Sequence, residues 1–468
     1  MTDYDLVIIG AGPAGMSAAS QAAQHKLKVL VLDEQPNPGG QIYRGVDLVT
    51  EQRANILGKD YSEGRLLTQA LHHDLITYIK YASVWQIEAS GKVAFTVEGQ
   101  GSRVSGKRVL IASGALERPM PIPGWTLPGV MTAGAGQILL KQSGAVASRA
   151  VLAGCGPLMY LLAAQMIRAG VPPIALVETQ SLADFLKALK HVKGALIGWR
   201  YLLKGLSLIR EIQLAKVPRY KAATNFSCTG KNQLESFKFF CNGKSHEINT
   251  KTVMLHHGVV PNIHATQSLR LNHQWDPQQQ CFKPTVDMWG ATDNSLVFVA
   301  GDGAGIGGAK LAAINGNLVA IKVARELNQI NDAEQTKLAT SFLILRKKEL
   351  AARPFIDAAY PPFLEAQQPS NDTIVCRCEE VKAGDVRRYA SMGCLGPNQT
   401  KAFGRVGMGP CQGRYCGLTV SHILSSSNQI SMQDTGFYRI RPPLKPITLG
   451  ELSLLEPDDD ELIELEHS

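Results

Sequence analysis

The chain opens on an unbroken apolar run at residues 6–10, which suits a parallel strand buried on both faces. A glycine-rich turn follows. Small apolar residues then predict a helix over 14–24, and a second apolar run at 29–32 ends at Asp33. The same order recurs later: a strand at 150–153, a turn at 154–159, a helix to Arg168, and a strand at 174–177 leading to Glu178. Two more apolar runs, 109–113 and 296–300, read as strands, the second entering a small-residue helix near Ala309. Residues 326–370 are polar and helix-prone, turn proline-rich at Pro361 and Pro362, and read as a linker.

Gly10, Gly12 and Gly15 in the first turn have the spacing of a dinucleotide fingerprint. Gly10 permits the turn, Gly12 lets backbone approach a pyrophosphate, and Gly15 lets helix and strand pack closely. Free N–H groups at the helix start then hold phosphate. Asp33 stands 23 residues after Gly10, where an acid accepts from ribose hydroxyls. In the second unit Gly154 and Gly156 keep the pattern, but Met159 replaces the third glycine. That change should push the helix outward or alter the grip on phosphate. Glu178 suits a free 2′-hydroxyl and disfavours NADP; an altered or empty pocket is the competing reading. Asp302, between a strand end and a helix start, can accept from a ribityl hydroxyl or serve as an N-cap. The expected class is α/β with two Rossmann-like dinucleotide-binding domains.

Composition narrows the field. With 45% hydrophobic and 19% charged residues, the 468-residue chain can bury several cores. No secretory signal is evident. Residues 119–140 lack charge but hold four prolines, and Gly-Cys-Gly-Pro breaks 150–167, so neither reads as a spanning helix. The net charge of +8 is uneven: residues 185–221 carry nine Lys/Arg against Glu211, whereas 451–468 hold eight acids and no Lys or Arg. Each is a solvated face or a docking surface for a partner subunit or an anionic surface. No motif or aromatic platform for nucleic acid accompanies the basic segment.

Nine cysteines without a secretion signal point to metal or redox use. Cys376 and Cys378 form one close pair; 33 residues on, Cys411 and Cys416 form another. Four thiolates so paired can cage a cluster or a zinc ion. A Cys-x-Cys pair fits a zinc knuckle badly, and Gly407, Gly409, Gly413 and Gly417 allow backbone N–H groups near the sulfurs, which favours [2Fe–2S]. Zinc and plain buried thiols stay open. Cys155, Cys228, Cys241, Cys281 and Cys394 read as packing residues. No redox-active cysteine pair lies near the first strands, which counts against a disulfide reductase. His256 and His257 read as satisfied loop histidines, with one reaching a flavin edge as the alternative.

Several phrases together resemble the two-dinucleotide-domain flavoproteins: 10–15, Pro-Asn-Pro-Gly-Gly-Gln-Ile-Tyr-Arg at 36–44, Ser113-Gly114-Ala115 and Gly301-Asp302-Gly303. Within that superfamily the chain resembles the hydrogen cyanide synthase B subunit, the octopine and nopaline oxidase A subunits, the D-hydroxyproline dehydrogenases and the sarcosine oxidase alpha subunit. Residues 123–130, 409–416 and 441–446 carry further matches. The resemblance covers nearly the whole chain. It implies a disulfide-reductase-like flavoprotein fold: an FAD domain at 1–118 and 290–325, a second nucleotide-type domain at 119–289, a linker at 326–370, a bacterioferritin-associated-ferredoxin-like [2Fe–2S] domain at 371–425 and a tail at 426–468. It assigns FAD to Gly10, Gly12, Pro13, Ala14, Gly15, Asp33, Glu34, Gly40, Gln41, Arg44, Val84, Ser113, Gly114, Gly301 and Asp302. The cluster goes to Cys376, Cys378, Cys411 and Cys416, and a second nucleotide, NAD or ATP, to Gly154, Gly156 and Glu178. It allows an FMN at a subunit interface.

The implied function is an electron-transfer subunit of a heteromeric amine, opine or imino-acid dehydrogenase. A D-amino-acid-oxidase-like FAD subunit would oxidise the substrate, with a further small subunit in some relatives and a respiratory-chain acceptor. The implied location is cytoplasmic, peripheral to the inner membrane. Two other functions stay open: a self-sufficient NADH-dependent reductase, and an iron–sulfur assembly or transfer module.

Overall fold

Apolar runs without polar alternation need cover on both faces, and the first sheet has it. In the computed structural model, which describes residues 3–455, β1 (Asp3–Ile9), α1 (Pro13–Gln24) and β2 (Val29–Leu32) succeed one another. β1 and β2 pair in parallel, Leu6 opposite Val29 and Ile9 opposite Leu32. β3 (Ile76–Ile79) adds in parallel beyond β2. β4 (Ser83–Ile87) and β5 (Lys92–Val97) form an antiparallel excursion that returns through β6 (Gln100–Ile111), parallel to β1. The strand Val297–Val299 then pairs in parallel with β6, so the chain leaves this sheet and comes back to it.

Between those points lies a second parallel sheet. Its order is Arg219–Tyr220, Ala175–Glu178, Val151–Cys155, Val253–His257, Val130–Thr132. Alternate side chains serve opposite faces. Leu152, Leu176 and Met254 meet the helices Pro157–Arg168 and Trp199–Leu214. Val151, Ala153 and Val177 meet Phe226, Phe237 and Phe239 of an antiparallel three-stranded layer. Ala115–Glu117 pairs antiparallel with Val259–Pro261 where the chain passes between the sheets.

Residues 326–370, which read as a linker, are largely helical. Asn331 caps the helix Asp332–Ala351, and Ala339, Phe342 and Leu343 give it a narrow apolar stripe against Ile314 and Leu318. That stripe is hidden in a polar sequence because one side of the helix faces water. Arg353–Ala359 follows, and residues 360–363 cross the end of the second sheet. The cysteine-bearing segment then packs Val386, Tyr389, Val420, Ile423 and Leu424 into a core continuous with the first sheet's. Beyond Tyr438 the chain runs back to β4, where Leu444 N–H donates to Trp85 O at 2.7 Å. Residues 456–468, most of the acidic tail, lie outside the described residues. Among the described residues no helix is long and apolar enough to cross a membrane.

Candidate functional site

α1 begins at Pro13 behind an extended Gly12, leaving the first N–H groups of the helix without intrahelical partners. A Cβ at Gly15 would stand 1.9 Å from Gly10 O, so only glycine allows this seat of helix on strand. Gly39 N–H donates to Ala11 O at 2.8 Å, which folds the 36–44 loop over the turn and sets Gly40 against Gly12. Asp33 joins the two: Oδ2 accepts from Ala11 N–H at 2.5 Å and Oδ1 from Gln35 N–H at 2.7 Å. Burial raises its pKa against the pull of those bonds. Each oxygen keeps a further acceptor position.

The other assigned residues gather here. Gly301 abuts Ala14, and Gly303 lies against Ser113 and Gly114. Ser113 Oγ donates to Asn262 O at 3.0 Å, and Gly114 O accepts from Asn262 N–H at 2.9 Å. Asp302 Oδ1 accepts from Gly307 and Gly308 N–H, both at 2.9 Å, and so acts as a cap on the loop before the following helix. Arg44 donates to Gln35 Oε1 at 2.7 Å, and its buried Nε lacks a partner, as does Asn262 Oδ1. Val84 lies on β4 opposite Phe95. Gly10, Gly12, Pro13, Ser113 and Asp302 all remain partly exposed.

Two lysines that sequence reasoning missed complete this end. Lys141 is buried, donating to Gln41 O at 2.9 Å and Gln137 Oε1 at 3.0 Å, and burial pulls its pKa down to about 7. Lys445 forms an ion pair with Glu34. It falls in the 441–446 phrase, but nothing local reveals where that phrase docks.

The second glycine turn has the same backbone course and a different environment. Gly154, Cys155, Gly156 and Met159 are all buried. Glu178 has no exposed surface and is fully engaged. It accepts from Arg219 Nη2 at 2.6 Å and Nε at 3.0 Å, from Tyr160 Oη at 2.5 Å and from Gln180 Nε2 at 3.0 Å. Residues 360–363 cover the turn. Tyr360 packs edge-on against Tyr160 and Phe185, Cys155 Sγ donates to Pro361 O at 3.2 Å, and Phe363 N–H donates to His257 Nδ1 at 3.1 Å. His256 fills the remaining side: its ring stands 3.3 Å from a Cβ built at Gly156, and Nδ1 bonds Glu117 at 2.7 Å. Both histidines end the strand Val253–His257 rather than lying in a loop.

The four cysteines come together as two pairs. Cys376, hydrogen-bonded with Cys416 and to the N–H groups of Gly407, Glu379 and Cys378, is pulled down to about 6. The same partner thiolate pushes Cys416 well up. Burial raises Cys378, which adjoins Cys411. A Cβ at Gly409 would stand 2.3 Å from Cys378 Cβ, so glycine allows this approach. Among the described residues no set of three or more potential ligands stands in metal-holding geometry. Tyr438, fully buried, packs against Gly407, Gly413 and Gly417. Cys155, Cys228, Cys241, Cys281 and Cys394 are buried and unbridged.

Two routes join this loop to the first site. His264, whose helix follows Asn262, bonds Gln412 O at 3.2 Å, and burial lowers its pKa to about 3. Gln412 and Arg414 also donate to Pro443 O and Leu444 O, next to Lys445.

The family described as pyridine nucleotide-disulphide oxidoreductase matches residues 4–326, and the sarcosine oxidase A3 domain matches 371–454. The opine oxidase A subunit of Rhizobium meliloti (strain 1021) is 41% identical over 461 residues, covering 98% of this chain and all of that one. The HcnB subunit of hydrogen cyanide synthase from Pseudomonas protegens is 29% identical over 481 residues, covering 97% of this chain and 98% of that one. The L-proline dehydrogenase structure from P. horikoshii shares the fold, with a TM-score of 0.71 at 18% identity, over 96% of this chain and 79% of that one. On these grounds the chain belongs to the pyridine nucleotide-disulphide oxidoreductase family, in the group of the opine oxidase A subunits.

Proposed function

We propose that the chain is the FAD- and [2Fe–2S]-carrying electron-transfer subunit of a heteromeric amine or amino-acid dehydrogenase, working at the cytoplasmic face of the inner membrane. The observation that carries this reading is the direct linkage of the two candidate sites through His264, Gln412, Arg414 and the 443–445 segment.

The donor set suits FAD. The partly exposed glycine turn offers N–H groups to a pyrophosphate, Asp33 keeps acceptor positions for ribose, and Arg44 Nε and Asn262 Oδ1 are buried polar atoms without partners. Gly40, Gln41 and Gly114 shape the cradle, and Glu34 bonds Lys445 at its rim. The paired thiols Cys376/Cys416 and Cys378/Cys411, approached by backbone N–H groups, suit a [2Fe–2S] cluster, and the match to the sarcosine oxidase A3 domain supports a module of that kind. When bound, the flavin accepts electron pairs and the cluster passes single electrons. The protein holds both in place.

Relatives named as oxidase and synthase subunits support a partner chain, read here as a D-amino-acid-oxidase-like flavoprotein, with or without an FMN at the interface and a further small subunit. The acceptor is read as a respiratory-chain component. The second unit is read as holding no NAD or ATP, because Glu178 is committed to Arg219 and residues 360–363 cover the turn.

Purifying the chain alone and with its co-purifying partner tests this. The chain alone should contain flavin, iron and acid-labile sulfide and oxidise no amine; the complex should oxidise one. Amine turnover by the isolated chain would overturn it.

A further inference from the structure

Residues 182–214 have an outer face that nothing among the described residues covers. Eleven of the thirty large exposed apolar side chains among the described residues fall in this stretch, far beyond its share of the chain. The inner side is anchored: Gly194 and Gly198 lie against Ala351 and Ala352, and Leu208 and Ile212 enter the core. Leu189, Leu196, Ile197, Trp199, Leu203 and Leu206 point outward, each more than half exposed.

Positive charge stands among them. Lys190, Lys193 and Arg200 are exposed and form no ion pair among the described residues. The nearby acids are committed elsewhere. Asp184 caps Ser181 and pairs with Lys187, and Glu211 pairs with Arg168 at 2.7 Å.

We propose that residues 182–214 are a docking face for an anionic lipid bilayer, lying flat at the headgroup level. A strip of leucine, isoleucine and tryptophan beside unpaired lysine and arginine matches an interface with hydrocarbon beneath and phosphate above. Lysine and arginine stems lie along the apolar layer while their charges reach the headgroups. The core of a protein–protein interface is depleted in lysine, so this mixture disfavours a subunit contact. The helices here are short, the longest being Trp199–Leu214, which suits lying on a membrane and not crossing it. The proposal rests on the peripheral membrane location in the proposed function and not on the electron relay.

The flavin-loaded full chain should co-sediment far more strongly with phosphatidylethanolamine–phosphatidylglycerol vesicles than with phosphatidylcholine vesicles, and the difference should shrink as salt rises. The variant Lys190→Gln/Lys193→Gln/Arg200→Gln should bind roughly 100-fold more weakly, given the usual gain for each basic residue near such a surface. Trp199→Ser/Leu203→Ser should lose the binding that survives in high salt. Unchanged flavin content and circular dichroism would show each variant folded. Three results would overturn the proposal: no vesicle binding by the flavin-loaded wild type, equal binding to both vesicle types, or wild-type binding by the triple variant. Sedimentation velocity showing self-association that these substitutions dissolve, without vesicle binding, would assign the face to protein contact instead.

Discussion

If the second glycine turn is closed by the chain itself, nicotinamide nucleotides must bind there poorly, and the contacts set how poorly. Admitting a nucleotide requires Phe363 to leave the core, which costs about 2 kcal/mol for a buried side chain of that size. The hydrogen bonds Phe363 N–H to His257 and Cys155 to Pro361 are lost with it, at about 1 kcal/mol each at most. Glu178 must also turn from Arg219 toward ribose, giving up charged hydrogen bonds of about 2 kcal/mol. The open form therefore lies about 5 kcal/mol above the closed one, and affinity falls about 5,000-fold from that of an open pocket. A pocket of ordinary micromolar affinity would bind only at millimolar concentration. Anaerobic titration of the flavin-loaded chain with NADH, followed at the flavin absorption and by calorimetry, measures this directly. Little heat and no bleaching are expected. A dissociation constant near 10 µM or below, or flavin bleaching within seconds, would refute the reasoning and revive the NADH-dependent reductase.

Other outcomes follow from single contacts. Gly15→Ala puts a methyl group 1.9 Å from Gly10 O, so the chain should purify without flavin, read from its visible absorption. Cys378→Ser or Cys411→Ser should abolish bound iron and acid-labile sulfide, whereas Cys394→Ser, in the module core, should keep both. Arg219→Ala strands the buried Glu178 carboxylate and should cost about 3–5 kcal/mol, seen as a lower melting temperature. The double variant Arg219→Met/Glu178→Leu should recover most of it. Lys141 titrates near 7 in the folded chain against 10.5 as its ordinary value, so folding disfavours its charged form. That penalty is full below pH 7 and relieved as pH rises toward 10, so stability should climb across that window. Lys141→Met should flatten the climb in melts recorded against pH.

What could be read in advance was local. β1, α1 and β2 follow from apolar runs, helical spacing and three glycines within one stretch of chain, and the second unit repeats them. Glu178 was legible as an acid at the end of a strand, but its state was not, because Arg219 lies 41 positions away. The closing residues 360–363 were hidden for the same reason: Pro361 meets Cys155 across 206 positions. A tyrosine and a proline pair in a polar stretch look like a linker until a partner surface is known. Lys445 meeting Glu34 and Tyr438 entering a glycine-lined pocket have no periodic or spacing signal at all.

The 438–445 segment also bears on how the protein is made. Chains emerge from the ribosome amino end first, and their domains fold as units in that order. Here the last described stretch contributes Tyr438 to the cysteine loop and Lys445 to the rim of the first glycine turn. A nascent chain can build both sheets while synthesis continues, yet neither candidate site is whole until the 438–445 segment has emerged. Products ending before residue 438 would thus lack Tyr438, Ile440 and Leu444 from the core as well as the Lys445 contact, and a tag placed near residue 445 would disturb that contact in a full-length chain.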